Sequence, residues 1–198
     1  MKNEKWNLIV EHALLNEDNL LLSLEMFEAF EEVMNRLISE FLKDLEIELL
    51  LSLGSEWTIE NRFEDNTFKK WTFGIQKKEW QGNYIIGINP ENGKLRNFTF
   101  YTWRDEAIFK SPITEVTKML NENYRKGRTY QLNDWYQSVD KDYLNWMEAD
   151  TLRRLYHKKE FVAYFKEQFL LLKDIVEPII DKKMKNHTGL SMQKQVVK

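Results

Sequence analysis

The chain contains no cysteine, and only three prolines and seven glycines occur among its 198 residues. The absence of cysteine excludes disulfides and thiolate metal sites, and it favours a reducing, intracellular compartment. So few prolines and glycines argue against a flexible linker or a low-complexity chain. Hydrophobic residues make up 42% of the sequence, and we therefore expect a folded domain with a sizeable core.

Long apolar runs are also absent. No stretch approaches the roughly 20 residues that a membrane span requires. The first residues, Met1–Trp6, lack the charged-then-apolar layout of a signal peptide. The sequence thus predicts a cytoplasmic protein with no membrane partner.

Sequence motifs of known catalytic and metal-binding sites are absent as well. His12, His157 and His187 are the only histidines and lie far apart, with no metal-ligand spacing. The chain has neither a glycine-rich phosphate loop nor a Gly-x-Ser-x-Gly turn. We therefore predict no catalytic residue, no metal site and no cofactor. On this interpretation the protein is not an enzyme.

One acid-x-Lys pattern keeps an enzymatic alternative open. A magnesium-dependent nuclease needs an acid and a nearby lysine at the ends of neighbouring strands. Asp181-Lys182-Lys183 has this local pattern, but the surrounding periodicity predicts the end of a helix. The sequence therefore disfavours autonomous nuclease activity.

Charge is unevenly placed along the chain. Residues 1–50 carry 4 basic and 12 acidic side chains, a net charge of −8, whereas residues 51–130 carry +3 and residues 131–198 carry +2. Two interpretations stay open. The acidic segment is either a solvated helix face or an arm that docks on a basic partner.

A long amphipathic helix is predicted from Asn16 to about Leu51, with an end near Gly54. Asn16 followed by two acids is typical of a helix start, and residues 6–15 predict a short helix before it. At 1.5 Å per residue the long helix would measure about 50 Å, more than one domain of this size requires. It is either a core helix or a helix that reaches a partner or a second copy of the chain. Its apolar stripe supplies the candidate protein interface: Phe27, Phe30, Met34, Leu37 and Phe41.

Four strands are predicted in the middle of the chain. Alternating, aromatic-rich segments cover Trp57–Phe63, Phe68–Gln76, Tyr84–Asn89 and Leu95–Trp103. Because their connections are short, neighbouring strands should pair as an antiparallel meander. The expected fold class is α+β, with this four-stranded meander packed against long amphipathic helices.

The faces of the predicted sheet differ in chemistry. Alternation places Trp71, Phe73, Ile75, Ile86 and Phe100 on a face that must be buried against helices. Cations and aromatics interleave elsewhere in the sheet, as they do in surfaces that bind nucleic acid strands. The candidate nucleic-acid contacts are Arg62, Lys70, Tyr101, Trp103 and Arg104.

Helices are predicted again after the sheet. Ser111-Pro112 is typical of a helix start, a short helix is expected over Glu148–Tyr156, and a final one over Lys159–Lys185. These patterns predict a helical arm over residues 1–55 and an α+β body over residues 56–185, with the meander at 57–103 and helices at 112–185. Residues 186–198 are predicted to form a flexible tail.

The order of motifs in the body resembles one known arrangement. Residues 71–75 (WTFGI) lead into residues 79–88 (EWQGNYIIGI), and Trp146 precedes Leu152–Leu155, Glu160–Tyr164 and a helix through Ile180. This order resembles the C-terminal accessory region of bacterial and phage PD-(D/E)XK nuclease-like proteins. The similarity covers about residues 45–182. The residues before it are too few to hold the nuclease core, so no catalytic residue is carried over.

The resemblance implies a free-standing accessory module in a setting of conflict between bacteria and phages. It would act in the cytoplasm of a bacterial cell or of a phage-infected host. The function expected is protein binding that regulates or inhibits a larger, nuclease-linked complex of antiviral defence. The alternative is a nucleic-acid-binding accessory subunit of a nuclease, for which binding should fall steeply with salt.

Overall fold

Helices account for most of the structure. The computed structural model describes residues 2–62, 72–90 and 96–195, with the side chains of 4–30, 32–62, 72–90 and 96–187. The fold class is α+β, as predicted. Within the described residues the helices are α1 Lys2–Ala13, α2 Glu17–Ser52, α3 Thr114–Asn123, α4 Lys141–Leu144, α5 Ala149–Tyr156 and α6 Lys159–Gln195.

Among the described residues, one antiparallel sheet contains six strands, not the four that were predicted. The strands are β1 Trp57–Asn61, β2 Phe73–Lys77, β3 Tyr84–Pro90, β4 Phe98–Arg104, β5 Arg128–Tyr130 and β6 Asn133–Ser138. Their order is β1-β2-β3-β4-β6-β5. The first four form the predicted meander, and the β5–β6 hairpin extends it beyond β4. The predicted strand residues Phe63, Phe68–Trp71 and Leu95 lie outside the described residues.

The apolar face of the sheet is buried as alternation predicts. Phe73 pairs with Ile88, and Ile88 pairs with Phe100 on the next strand, so the three side chains share one face. Phe169 of α6 meets the rings of Phe73 at 5.8 Å and Phe100 at 5.7 Å. Aromatic pairs of this edge-to-face kind add to the hydrophobic gain. The face is therefore covered by α6.

The start of α2 confirms its predicted cap. Asn16 Oδ1 accepts a hydrogen bond of 2.9 Å from the backbone N–H of Asn19, which satisfies one of the free amides of the first turn. The helix ends at Ser52, two residues before Gly54. Periodicity and capping thus predict this helix almost to the residue.

The chain divides into two compact units, Met1–Ser39 and Glu40–Lys198. We refer to them as the N-terminal unit and the C-terminal unit. The predicted division into an arm of residues 1–55 and a body of residues 56–185 stays a prediction, and α2 contributes residues to both compact units. Its residues from Glu40 onward belong to the C-terminal unit, in which Phe41, Leu42, Leu45 and Leu49 are fully buried.

The last helix is longer than its periodicity predicts. It begins at Lys159, as expected, but continues past Lys185 to Gln195, into the predicted tail. Pro178 lies inside it. Within the described part of the chain, no helix combines the length and apolar composition that a membrane crossing requires.

Candidate protein interface

Exposed apolar side chains are concentrated in the N-terminal unit. Monomeric proteins rarely expose large contiguous apolar patches, and interface cores are enriched in aromatic residues and methionine. Among the described side chains of this unit, fourteen large hydrophobic ones are at least 41% exposed. They are Trp6, Leu8, Ile9, Val10, Leu14, Leu15, Leu20, Leu21, Leu22, Leu24, Met26, Phe27, Phe30 and Val33. This surface is the strongest candidate site in the molecule.

The predicted interface stripe divides along α2. Phe27 is 80% exposed and Phe30 is 41% exposed, so both are accessible to a partner. Leu37 is half-buried, while Met34 and Phe41 are buried. The stripe therefore supplies an accessible surface only in its N-terminal part.

Phe41 is a core residue, which corrects its assignment to the interface. Its ring meets Trp146 at 5.4 Å and Phe161 at 5.1 Å, both edge-on. It also contacts Phe165 at 5.5 Å. An apolar stripe on a helix does not distinguish a protein interface from a domain core, since both require the same residue types.

The N-terminal unit is acidic. It contains three basic and eight acidic side chains, a net charge of −5, which leaves +2 for the C-terminal unit. Glu25, Glu28 and Glu32 are exposed beside the apolar residues of α2. Arg36 pairs with Glu32 at 2.9 Å and neutralises it in part. The surface thus combines an apolar area with a carboxylate rim.

Arg104 does not belong to the predicted nucleic-acid face. It is 5% exposed, and its Nε lies 3.1 Å from Asp134 Oδ1. The other guanidinium nitrogens donate to the carbonyl oxygens of Phe109 at 2.6 Å and Gln131 at 3.2 Å. Burial raises the pKa of Asp134, although hydrogen bonds to the carboxylate oppose the rise. Arg104 is therefore a buried structural cation with no accessible donor to offer a phosphate.

Tyr101 and Trp103 lie on the face of the sheet opposite Phe100. Tyr101 is nevertheless only 6% exposed, and its burial raises the pKa of its hydroxyl. Its ring covers Gly87 so closely that a Cβ there would lie 2.6 Å from the Tyr101 hydroxyl oxygen. Arg62 is exposed but pairs with Glu60 at 3.1 Å. Lys70 lies outside the described residues, and the described members of the set form no cationic track.

Asp181, the acid of the acid-x-Lys pattern, has a structural role. It accepts hydrogen bonds from Lys77 Nζ at 2.6 Å and from Trp80 Nε1 at 2.8 Å. Lys77 also pairs with Glu177 at 2.8 Å. Burial alone would lower the pKa of Lys77, but its bonds to Asp181 and Glu177 raise it. These contacts fasten α6 to the end of β2.

No cluster of metal ligands accompanies these residues. In the described ranges, no three His, Asp or Glu side chains come together in a way that could hold a metal ion. A separate ion pair, between Arg125 and Asp140, joins the end of α3 to the loop after β6. Gln168 of α6 accepts a further bond of 3.3 Å from Arg125. This cluster, too, connects elements of the fold.

Comparison with known protein families, curated proteins and solved structures gives no match to this chain. The resemblance of residues 45–182 to nuclease-associated accessory regions therefore stays a prediction.

Proposed function

We propose that the protein is a protein-binding module whose N-terminal unit binds a partner through its exposed apolar surface. The single observation that carries this proposal is the set of fourteen exposed hydrophobic side chains on α1, the turn after it and the first half of α2. Leaving this area in water is unfavourable by about 25 cal/mol per Å² of apolar surface. A partner that covers it removes that penalty.

The charge of the surface favours a protein over a membrane. Helices that lie on membranes carry lysine and arginine on their polar face and are attracted to anionic lipids. The N-terminal unit carries a net charge of −5 instead. Anionic headgroups would repel it, whereas a protein with an apolar surface and a basic rim would complement it.

The larger role follows from the resemblance of the body to nuclease-associated accessory regions. On that basis the partner belongs to a nuclease-linked complex, which the protein regulates or inhibits. Binding and regulation are separable parts of the proposal, because the first depends on the exposed surface and the second on the resemblance alone.

The test compares three forms of the full chain as bait in nuclease-treated native lysate. They are the wild type, Phe27→Asp and the control Tyr130→Asp. Tyr130 is 60% exposed on β5, outside the N-terminal unit. We expect a stoichiometric protein partner with the wild type and with Tyr130→Asp, and at least a tenfold loss with Phe27→Asp, because a charge at an interface core is left unpaired.

Circular dichroism and a urea midpoint establish that each variant is folded. A folded Phe27→Asp chain that retains every partner at wild-type stoichiometry would count against the proposal. Recovery of nucleic acid alone, with protein partners lost on nuclease treatment, would favour the nucleic-acid-binding alternative.

A further inference from the structure

Most acidic side chains of the N-terminal unit have no cation beside them. The described side chains of this unit include seven carboxylates and only two cations, Lys5 and Arg36. Arg36 pairs with Glu32. Among the described residues, no cation pairs with Glu11, Glu17, Asp18, Glu25 or Glu28. The negative charge of the unit is therefore not neutralised within the fold and is available to a partner.

An apolar stripe and an acidic flank run together along the first half of α2. Leu20, Leu24 and Phe27 are spaced by four and three residues, so their side chains line up on one side of the helix. They are 41%, 52% and 80% exposed. Glu25 and Glu28 each follow a member of this stripe and are exposed. Because one residue is a turn of about 100° around a helix, these carboxylates lie on one flank of the stripe.

The opposite flank of the stripe has no charge. The residues that precede the three members of the stripe are Asn19, Ser23 and Met26. A partner that lies along the stripe therefore meets carboxylates on one side only. We expect its cations on one side of its own apolar stripe.

The surface favours a helix over an extended segment as the element that covers it. Backbone groups in the middle of α2 are bonded within the helix, so α2 offers a partner its side chains only. A strand laid on α2 would bury its own N–H and C=O groups without partners, whereas a helix satisfies them internally. Spacing by four and three residues is also the pattern along which two helices pack.

We propose that the first half of α2 binds a basic amphipathic helix of a partner protein. Apolar side chains of that helix cover the stripe, and its lysines or arginines lie beside Glu25 and Glu28. This inference rests on the proposed function, because it states the chemistry of the partner at the same surface. A second copy of the chain would bring another net charge of −5 to the contact, and like charges across an interface are unfavourable.

Binding of labelled peptides to the full-length chain tests this chemistry. Each peptide has two heptads. The first repeats the heptad LKKLLKL, which places leucines on one side of a helix and lysines on the other. The second, LEELLEL, is its acidic counterpart, and the third rearranges the residues of the first into the alternating order of a strand. Fluorescence anisotropy measures each Kd. We expect the first peptide to bind about tenfold more tightly than the other two, with an affinity that falls as salt rises.

Two double variants of the full chain locate the binding site. Glu25→Gln with Glu28→Gln removes the acidic flank and should weaken the basic peptide about fivefold. The matched control is Glu115→Gln with Glu122→Gln, which removes two exposed acids from α3. This control should bind the basic peptide as the wild type does. Equal loss in both double variants would overturn the inference, because attraction to the net charge of the chain would then explain the binding.

A single thiol reports where the peptide lies, since the natural chain has no cysteine. Leu21→Cys is beside the stripe, at a side chain that is 51% exposed, and the control Leu171→Cys replaces one on α6 that is 44% exposed. Saturating basic peptide should slow maleimide labelling of Leu21→Cys about tenfold and leave Leu171→Cys unchanged. Equal protection of both thiols would overturn the inference. So would protection of Leu21→Cys at high chain concentration without peptide, which would assign the surface to a second copy.

Failure of this inference and failure of the proposed function give different results. A lysate partner that is lost in Phe27→Asp but kept by the Glu25→Gln, Glu28→Gln chain would overturn the basic helix and leave the proposed function standing. Retention of every partner by both variants would overturn both.

Discussion

Trp80 and Asp181 are joined across about a hundred residues of chain, because the indole Nε1 donates a 2.8 Å hydrogen bond to the carboxylate Oδ1. Trp80 is fully buried and follows β2, whereas Asp181 lies on α6. The second carboxylate oxygen of Asp181 accepts from Lys77 Nζ. One carboxylate thus satisfies a buried indole and a largely buried cation, and it fixes the position of α6 against the sheet.

Replacement of Asp181 by alanine should therefore destabilise the fold. It leaves Trp80 Nε1 without its acceptor and Lys77 with one carboxylate fewer, which costs about 2–3 kcal/mol of unfolding free energy. Urea denaturation at neutral pH measures the loss. The control is Asp174→Ala on the same helix, whose side chain is 71% exposed and which should cost less than about 0.5 kcal/mol. Equal midpoints for the two variants would contradict the prediction.

Arg104 provides a test of its corrected role. Arg104→Ala leaves the buried Asp134 carboxylate without its cation, and we expect a loss of about 3–5 kcal/mol in unfolding free energy. Arg104→Lys keeps the charge but not the planar fork, and should lose about 1–3 kcal/mol. Arg62→Ala is the control, since the Arg62 side chain is 66% exposed. Urea denaturation measures the unfolding free energy of all three variants. A stable Arg104→Ala with altered nucleic-acid binding would restore the original assignment.

Alternation along β4 separates Arg104 from the other two predicted nucleic-acid contacts of that strand. Successive side chains of a strand point to opposite faces, so Tyr101 and Trp103 share a face that Arg104 cannot share. The sequence spacing alone therefore places Arg104 on a different face from Tyr101 and Trp103. The spacing does not predict the ion-pair partner of Arg104, because Asp134 lies on a strand that lacks a periodic pattern.

The hairpin of β5 and β6 was not predictable from its own residues. Arg128–Tyr130 is short and exposed at all three positions, and Asn133–Ser138 is mostly polar. These segments are strands because β6 pairs with the edge of β4, with Tyr101 opposite Tyr136. Tertiary context of this kind overrides local propensity. The long helix, its Asn16 cap and the apolar face of the sheet were predictable because periodicity and capping are local signals.

Acid should weaken the contact between Arg125 and Asp140. The hydrogen bond from Arg125 lowers the pKa of Asp140 below its ordinary value of 3.8. The folded chain therefore holds the carboxylate ionised more readily than the unfolded chain does. The resulting stabilisation is fully present above pH 3.8 and is lost as the pH falls through the lower folded-state pKa.

The comparison of the wild type with Asp140→Asn measures this effect. Because the Asp140 side chain is 46% exposed, solvent screens the pair, and we expect less than about 1 kcal/mol at neutral pH. The difference in unfolding free energy should shrink towards zero in urea titrations carried out below pH 3.8. Asp150→Asn, with a side chain that is 91% exposed, is the control. A difference that is unchanged by pH would rule out the ionic contribution.

Phe27 and Phe41 lie on one helix but should respond to mutation in opposite ways. Phe41→Ala opens a cavity among Trp146, Phe161 and Phe165, and we expect a loss of about 3–5 kcal/mol in unfolding free energy. Phe27→Ala removes a ring that is 80% exposed, and its unfolding free energy should change by less than about 0.5 kcal/mol. Binding should follow the reverse order, because only Phe27 is accessible to a partner. Urea denaturation and partner retention, measured on the same preparations, test both expectations. If Phe27→Ala destabilised the isolated chain as strongly as Phe41→Ala, the ring would be part of a packed core and the surface we assign to a partner would not exist.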